Sequence, residues 1–384
     1  MSGLPVLPRR KLDLKTFMTR HIVIDFPAEQ DFILSSSEIE LGPSGYIYSY
    51  DVIASNHNPE ACQLFQWFRS IHSACNESNG EDMIAEMLST FKSSKNVFSI
   101  PMREYVLIEG IMELCYRLQV ENNHLVCELL DLIYEIWFAF GPLHFTVLFK
   151  PEVFRYGRKF QTKREDVLSY FLKHARQSKL MYRGKRMIDV SVYSCIPKPP
   201  VFVAADSWQW KPLLRYLQYG ARLENVAITP SSSRHGASFA LEDTLQNFIQ
   251  SLWFGLVEPF EKGKVKEEHI YNFRSKKYLK DLCMTFTIIL RVVKRLERKQ
   301  LEFDLKIYHN HRMEELSSGW ILSHRIVDEL LPILKKRCDC PIELKHYCRY
   351  VIRDRLNENW QLPYGIKYLQ LPKKMKKYLN LLAD

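Results

Sequence analysis

Apolar residues recur along most of this chain at helical spacing. Between Arg103 and Leu118, the residues Val106, Leu107, Ile111, Leu114, Cys115 and Leu118 share one broad face, which predicts an amphipathic helix. Leu125 to Phe140 repeats the character, with Glu128, Asp131 and Glu135 as polar marks and Gly141-Pro142 as its stop. The run VLSYFLKHARQSKL, after the charged residues 163–166, predicts another such helix, and one more is expected at about 82–93. Further helices are expected at 239–258, at 276–300 with a basic end RVVKRLERK, and at 320–337, where Pro332 introduces a kink. The first hundred residues read differently. HIVIDF and GYIYSYDVI have β-like content, but serines and prolines interrupt them, so short strands and ordered loops both remain open. Residues 76–82 and 231–237 read as loops. The aromatic stripe from Trp137 to Phe149 reads as core.

From Pro341 onward the pattern tightens. Pro341 suits the first turn of a helix, where its missing N–H costs nothing, and Glu343 adds a favourable charge there. Leu344, Cys348 and Ile352 recur at four-residue steps, with Val351 and Leu356 beside them, while Arg349, Arg353, Asp354 and Arg355 occupy other faces. Four-residue steps hold side chains on one slowly drifting stripe. Asn357 to Gln361 reads as a polar break, and Leu362-Pro363 begins an extended piece. Pro372 then fits the start of a terminal helix with Met375, Tyr378, Leu379 and Leu382 on one side and lysines on the other. Taken alone, the first of these helices is an ordinary amphipathic element that packs its stripe on its own domain.

One internal stretch, Pro199 to Glu224 (PPVFVAADSWQWKPLLRYLQYGARLE), predicts a helical hairpin. A turn leads into a short helix ending in Ala204-Ala205. A loop follows, then a second helix carrying Leu213, Leu214, Tyr216 and Leu217, and then Gly220-Ala221. Small alanines allow two helices to approach closely, and a glycine suits the left-handed residue that closes a helix. The order resembles an ankyrin repeat. It departs where Pro199 stands for the usual threonine, Phe202 for histidine and Trp208 for the glycine between helices, and Pro212 is unusual inside the second helix. A single such unit cannot bury its own face, so degenerate neighbours are expected, at 165–178 and from Thr229-Pro230.

Length and composition narrow the picture. A chain of 384 residues suits ~2 to 3 domains, and 46% hydrophobic with 26% charged residues is a folded composition. The formal charge of +10 is spread along the chain, with a local cluster at Lys373, Lys374, Lys376 and Lys377. A solvated basic surface explains it; nucleic-acid binding is the rival, without an arginine-rich tail, zinc-finger spacing or RNP-like strand to support it. Nine scattered cysteines read as reduced thiols, not a disulfide framework. The N-terminal MSGLPVLPRRKLDLK lacks an apolar signal region, and Ile136 to Phe149 is too short to span a bilayer. A soluble protein of the cytosol or nucleus is expected.

Catalytic signatures are missing. No Walker loop, G-x-S-x-G, H-E-x-x-H or G-x-G-x-x-G occurs, and no carboxylate or Ser/His set singles itself out. No cofactor is expected. Cys338, Cys340, His346 and Cys348 could be read as zinc ligands, but zinc sites favour spaced pairs such as C-x2-C. Cys348 is also claimed by the apolar stripe. His309 and His311 lie in a polar linker.

The C-terminal order, helix, link and terminal helix over Pro341 to Asp384, resembles a SOCS box. Leu344, Cys348 and Ile352 match its elongin-binding half. Ile366, Leu369, Leu371, Pro372, Met375 and Tyr378 match its cullin-binding half, and Gln370 departs from the usual proline. With the ankyrin-like unit upstream, the chain resembles the ankyrin repeat and SOCS box family. That resemblance implies a mainly α fold: a degenerate ankyrin-like helical repeat domain followed by a three-helix SOCS box. It implies a non-catalytic adaptor that recruits elongin B/C, cullin-5 and its RING partner and presents a protein substrate for ubiquitination. Elongin C would be met by Leu344, Cys348, Val351 and Ile352, and cullin by Ile366, Leu369, Leu371 and Pro372. The expected divisions are a mixed segment at 1–100, a helical region at 101–160 and the ankyrin-like domain at 161–320. A linker helix and SOCS box occupy 321–384. The other reading is a helical scaffold or basic nucleic-acid-binding protein whose C-terminus packs only internally.

Overall fold

A computed structural model of the protein describes residues 79–93, 110–112, 114–140, 167–182, 184–190, 199–206, 208–223, 276–294 and 341–384, with single residues at 70, 74 and 108. The β-like segments near the N-terminus, the helices expected at 239–258 and 320–337, Thr229-Pro230, the 231–237 loop, and Cys338, Cys340, His309 and His311 lie outside them.

Helices dominate the described residues. α1 is Gly80–Ser93, α2 Asn123–Phe140 and α3 Val167–Gln177; residues 110–112 and 114–117 between α1 and α2 are also helical. A two-residue hairpin follows, β1 Met181–Tyr182 antiparallel to β2 Lys185–Arg186, and leads into a 3-10 turn at Met187–Asp189. α4 is Pro200–Asp206, α5 Trp210–Gln218 and α6 Lys276–Val292. The C-terminal segment supplies α7 Leu344–Glu358, α8 Gly365–Tyr368 and α9 Lys373–Leu379.

The periodicity of the sequence finds α1, α2, α3, α6, α7 and α9 within three residues at their starts, whereas the four-residue α8 stands where an extended piece was expected after Leu362-Pro363. Two endings differ from expectation. α6 stops at Val292, two residues into the basic stretch RVVKRLERK that it was expected to run through. α7 runs through Asn357 to Glu358 where a polar break was expected, because Asn357 is buried against upstream backbone and not solvated.

The α4–α5 hairpin explains its own odd residues. Trp208 sits in the left-handed region (φ 55°) between the helices, the conformation that glycine adopts freely. Pro212 falls in the first turn of α5, where backbone N–H groups have no intrahelical partner to lose. Gly220 takes φ 89° just after α5, and Ala221 N–H returns to the Tyr216 carbonyl at 2.9 Å, closing the helix end. α5 packs on α4, α3 and α6. Leu213, Leu214, Tyr216 and Leu217 are each at most 1% exposed, and each such side chain stabilises the fold by about 1.5–3 kcal/mol through burial.

One apolar core runs through α1 to α6 and takes in Leu381 from beyond α9. A second, smaller cluster joins Leu356, Leu362, Ile366 and Leu379 inside the C-terminal segment. The segment therefore has a core of its own and also a root in the upstream core. Among the described residues no helix is long and apolar enough to cross a membrane.

Candidate functional site

α7 is amphipathic, but it is seated the opposite way from an ordinary surface helix. At 100° per residue, His346, Arg349, Arg353 and Asn357 fall on one side, and all four are buried. Leu344, Tyr347, Cys348 and Val351 fall on the other side. Leu344 is 77% exposed and Tyr347 and Val351 are each 44% exposed, and Cys348 is an exposed free thiol. The polar face is packed inward and the apolar face is presented to solvent.

The inward face holds because its side chains find main-chain carbonyls at the ends of other helices. Such carbonyls lack intrahelical partners and carry the negative end of the helix dipole, so a cation satisfies both needs. Arg353 donates through Nη1 to Leu379 O at 2.8 Å and through Nη2 to Leu217 O, joining α7 to the ends of α9 and α5. Arg349 donates to Arg291 O at 3.2 Å and to Ala383 O at 2.7 Å, and its guanidinium lies 3.4 Å from the Tyr378 ring centroid. His346 Nε2 meets Val293 O at 2.8 Å, just past α6. Asn357 Nδ2 donates to Gly220 O at 3.0 Å. Arg186 donates to that same carbonyl at 2.8 Å, to Asn357 Oδ1, and to Asp189 at 2.7 Å.

Burial, with the Arg349 charge beside it, pulls the Arg353 guanidinium down to about 9, which leaves it cationic at neutral pH. Buried cations are costly unless fully hydrogen-bonded. Each bond from a charged donor contributes about 1.5–3 kcal/mol, and Arg353 and Arg349 each make two such bonds to carbonyls.

Upstream residues return the contact. Arg291, 2% exposed, grips Asp384 with bonds of 3.0 and 2.6 Å and also donates to Leu381 O at 2.7 Å. Gln218 donates to Asn380 O at 3.1 Å. The Arg176 guanidinium stands 4.5 Å over the Tyr364 ring and donates to Trp360 O at 3.1 Å.

The residues singled out from sequence are distributed unevenly. Leu344, Cys348 and Val351 share the outward stripe, while Ile352 is half-buried against the Leu356/Leu362/Ile366/Leu379 cluster. Ile366 is 3% exposed inside that cluster, Leu369 and Leu371 are half-buried on it, and Pro372 is exposed at the N-cap of α9. Sequence reading missed Tyr347 and Tyr368. Tyr347 is readable as the i+3 neighbour of Leu344 and i−4 neighbour of Val351. Tyr368, 87% exposed, carries no periodic signal because it ends a four-residue helix. His346 and Cys348 point to opposite sides of α7, so they do not converge on one ion. Among the described residues no cluster of three or more His, Cys, Asp and Glu side chains could hold a metal.

Residues 340–380 match the family model described as SOCS box. The C-terminal segment is a SOCS box. Over 41 residues the chain is 54% identical to ankyrin repeat and SOCS box protein 17 of Canis lupus familiaris, a match covering 11% of this chain and 14% of that relative. The similarity supports placing the chain in the ankyrin repeat and SOCS box family. It spans about one-seventh of the relative's length. No solved structure matches the chain.

Proposed function

We propose that this protein is a substrate-recognition adaptor of a cullin–RING ubiquitin ligase and is itself without catalytic residues. Its SOCS box docks elongin B/C through Leu344, Cys348 and Val351, with Tyr347 as a fourth contact and Ile352 supporting the stripe from behind. The observation that carries this reading is the outward stripe on α7. An apolar helix face left open by its own fold is the geometry used in helix-in-groove binding, where anchors at i, i+3, i+4 and i+7 enter a partner's groove. Covering Leu344 alone recovers about 1.5–3 kcal/mol.

In this reading cullin-5 and its RING partner bind at the link that follows, with Pro372 at the surface, Leu369 and Leu371 at its edge, and Ile366 acting through the packing beneath. Gln370, in place of the usual proline, bears on the cullin and not on elongin. Residues 161–320 form a degenerate ankyrin-like domain, of which α4–α5 is the clearest unit, and present an intracellular protein substrate. Residues 1–100 and 101–160 precede it as a mixed segment and a helical region. The ligase then acts by holding a substrate lysine near the charged conjugating enzyme, an effect of proximity.

Co-expression of the full chain with elongin B/C and cullin-5 tests this. The wild type is expected to capture all three, and Leu371→Ser with Pro372→Ser to keep elongin B/C and lose cullin-5. Capture of none of them by the wild type, with salt-sensitive oligonucleotide binding in their place, would reverse the reading.

A further inference from the structure

We propose that Arg353, together with Arg349 and Asn357, is a positioning device for ubiquitin transfer: it fixes the roll of α7 so that elongin is received on the side facing away from the upstream domain. This rests on the adaptor reading and goes beyond it.

Two geometrical facts carry the inference. First, the outward stripe and the inward polar face lie about half a turn apart on one helix, so whatever holds the inward face aims the stripe. Second, the side chains by which the inward face reaches α5 and α6 make directional bonds, while the apolar packing of α7 through Ile352 and Leu356 stays inside the C-terminal segment. Arg353 reaches Leu217 O on α5 and Leu379 O on α9 with one planar guanidinium. Arg349 reaches Arg291 O at the end of α6 and Ala383 O near the chain's last residue. Asn357 reaches Gly220 O in the turn after α5. An apolar face slides and rolls on its neighbours at little cost, whereas a guanidinium fork bonded to two fixed carbonyls has one angular setting. Buried polar contacts of this kind are best attested as register-setting devices.

The consequence concerns reach. Transfer joins a lysine Nζ to the ubiquitin C-terminal carbonyl as an amide, releasing the thiol of the conjugating enzyme's thioester and a proton. The lysine must therefore stand within contact distance of that thioester. With α5 and α6 bonded rigidly to α7, only lysines at a fixed direction from the SOCS box qualify. Freeing the roll would admit others.

The experiment uses the full chain in complex with elongin B/C, cullin-5 and its RING partner, with conjugating enzyme and ubiquitin, and maps the modified lysines of the chain by mass spectrometry. Small-angle scattering of the chain–elongin B/C complex accompanies it. Arg353→Met keeps the length of the side chain without its fork, and elongin B/C affinity is expected to stay within about twofold, as for a residue outside the contact surface. Modification should spread from a confined set of lysines in the wild type to a wider set, and the scattering should show a broader size distribution. Arg353→Lys, with a charge but no fork, should fall between the two. Unchanged lysines and unchanged scattering in Arg353→Met would overturn the inference, as would loss of elongin binding in that variant. If Arg353→Met does not fold, Gly220→Ala, which leaves the SOCS box sequence intact, must produce the same spread, and an unchanged pattern there would also overturn it. Failure of the wild type to bind elongin B/C is a different result, and it would count against the adaptor reading itself.

Discussion

Asn357 donates to the Gly220 carbonyl at 3.0 Å, and its side-chain amide occupies the space that a Cβ on residue 220 would need. A glycine that closes α5 is thus also the surface on which the SOCS box is seated. Its lack of a side chain serves two purposes, the φ of 89° and the close approach.

Gly220→Ala should therefore cost more than the same change at Gly184, which has φ 74° and open space around it. Left-handed strain alone is about 1–2 kcal/mol. Displacing the Asn357 contact adds about 1 kcal/mol more. Urea unfolding of both variants checks this, and equal losses would mean that Asn357 does not depend on Gly220.

The outward stripe contributes little to folding. Leu344→Ser should change stability by less than about 0.5 kcal/mol, as expected of an exposed position. Leu356→Ala, in the inner cluster at 8% exposure, should cost about 2–4 kcal/mol. Thermal melts of the two variants separate a docking residue from a packing residue, and a large loss from Leu344→Ser would show that the stripe packs internally.

Arg291 ties the upstream core to the end of the SOCS box through Asp384 and Leu381 O. Truncation to alanine removes a buried cation from a half-exposed carboxylate, and a loss of about 3 kcal/mol is expected. Asp384→Asn should cost less, because the carboxylate is 49% exposed. Chemical denaturation of both variants tests the order, and the reverse order would contradict it.

His174 gives the fold a pH dependence. Its Nδ1 meets Asn123 Oδ1 at 2.8 Å, and burial, with the Lys173 charge beside it, lowers its pKa from 6.5 to about 4. Between those values the unfolded chain binds a proton that the folded chain refuses, so this contribution to stability is present above about pH 6.5 and is lost as pH falls toward 4. By linkage the loss between pH 7 and pH 5 is about 2 kcal/mol. The wild type minus His174→Gln difference across that range measures it; a flat difference would show that the imidazole is not held neutral.

Much of this arrangement is legible in the sequence, because its signals are local. The 3.6-residue period locates α2, α3, α5, α6 and α7, and the four-residue steps from Leu344 to Cys348 and Ile352 define the stripe from residue types alone. The direction in which the stripe faces is not legible. Arg349 and Arg353 look like solvated residues in a linear reading, since their acceptors are carbonyls of Leu217, Arg291, Leu379 and Ala383, two of them far upstream. Asn357 reads as a helix breaker for the same reason: its partner is Gly220, 137 residues away. Long-range hydrogen bonds to backbone leave no pattern of residue types, so the polar face of α7 hides its role until the fold brings those carbonyls to it.

The most direct measurement is size-exclusion chromatography with light scattering of the full chain mixed with elongin B/C, run beside Leu344→Ser/Cys348→Ser. The wild type should elute as a single complex whose mass is the sum of all three chains. The double variant, folded and with an unchanged melting temperature, should elute apart from elongin B/C. A wild-type chain that elutes alone, or a double variant that still co-elutes, would contradict the assignment of the outward stripe of α7 as the docking face.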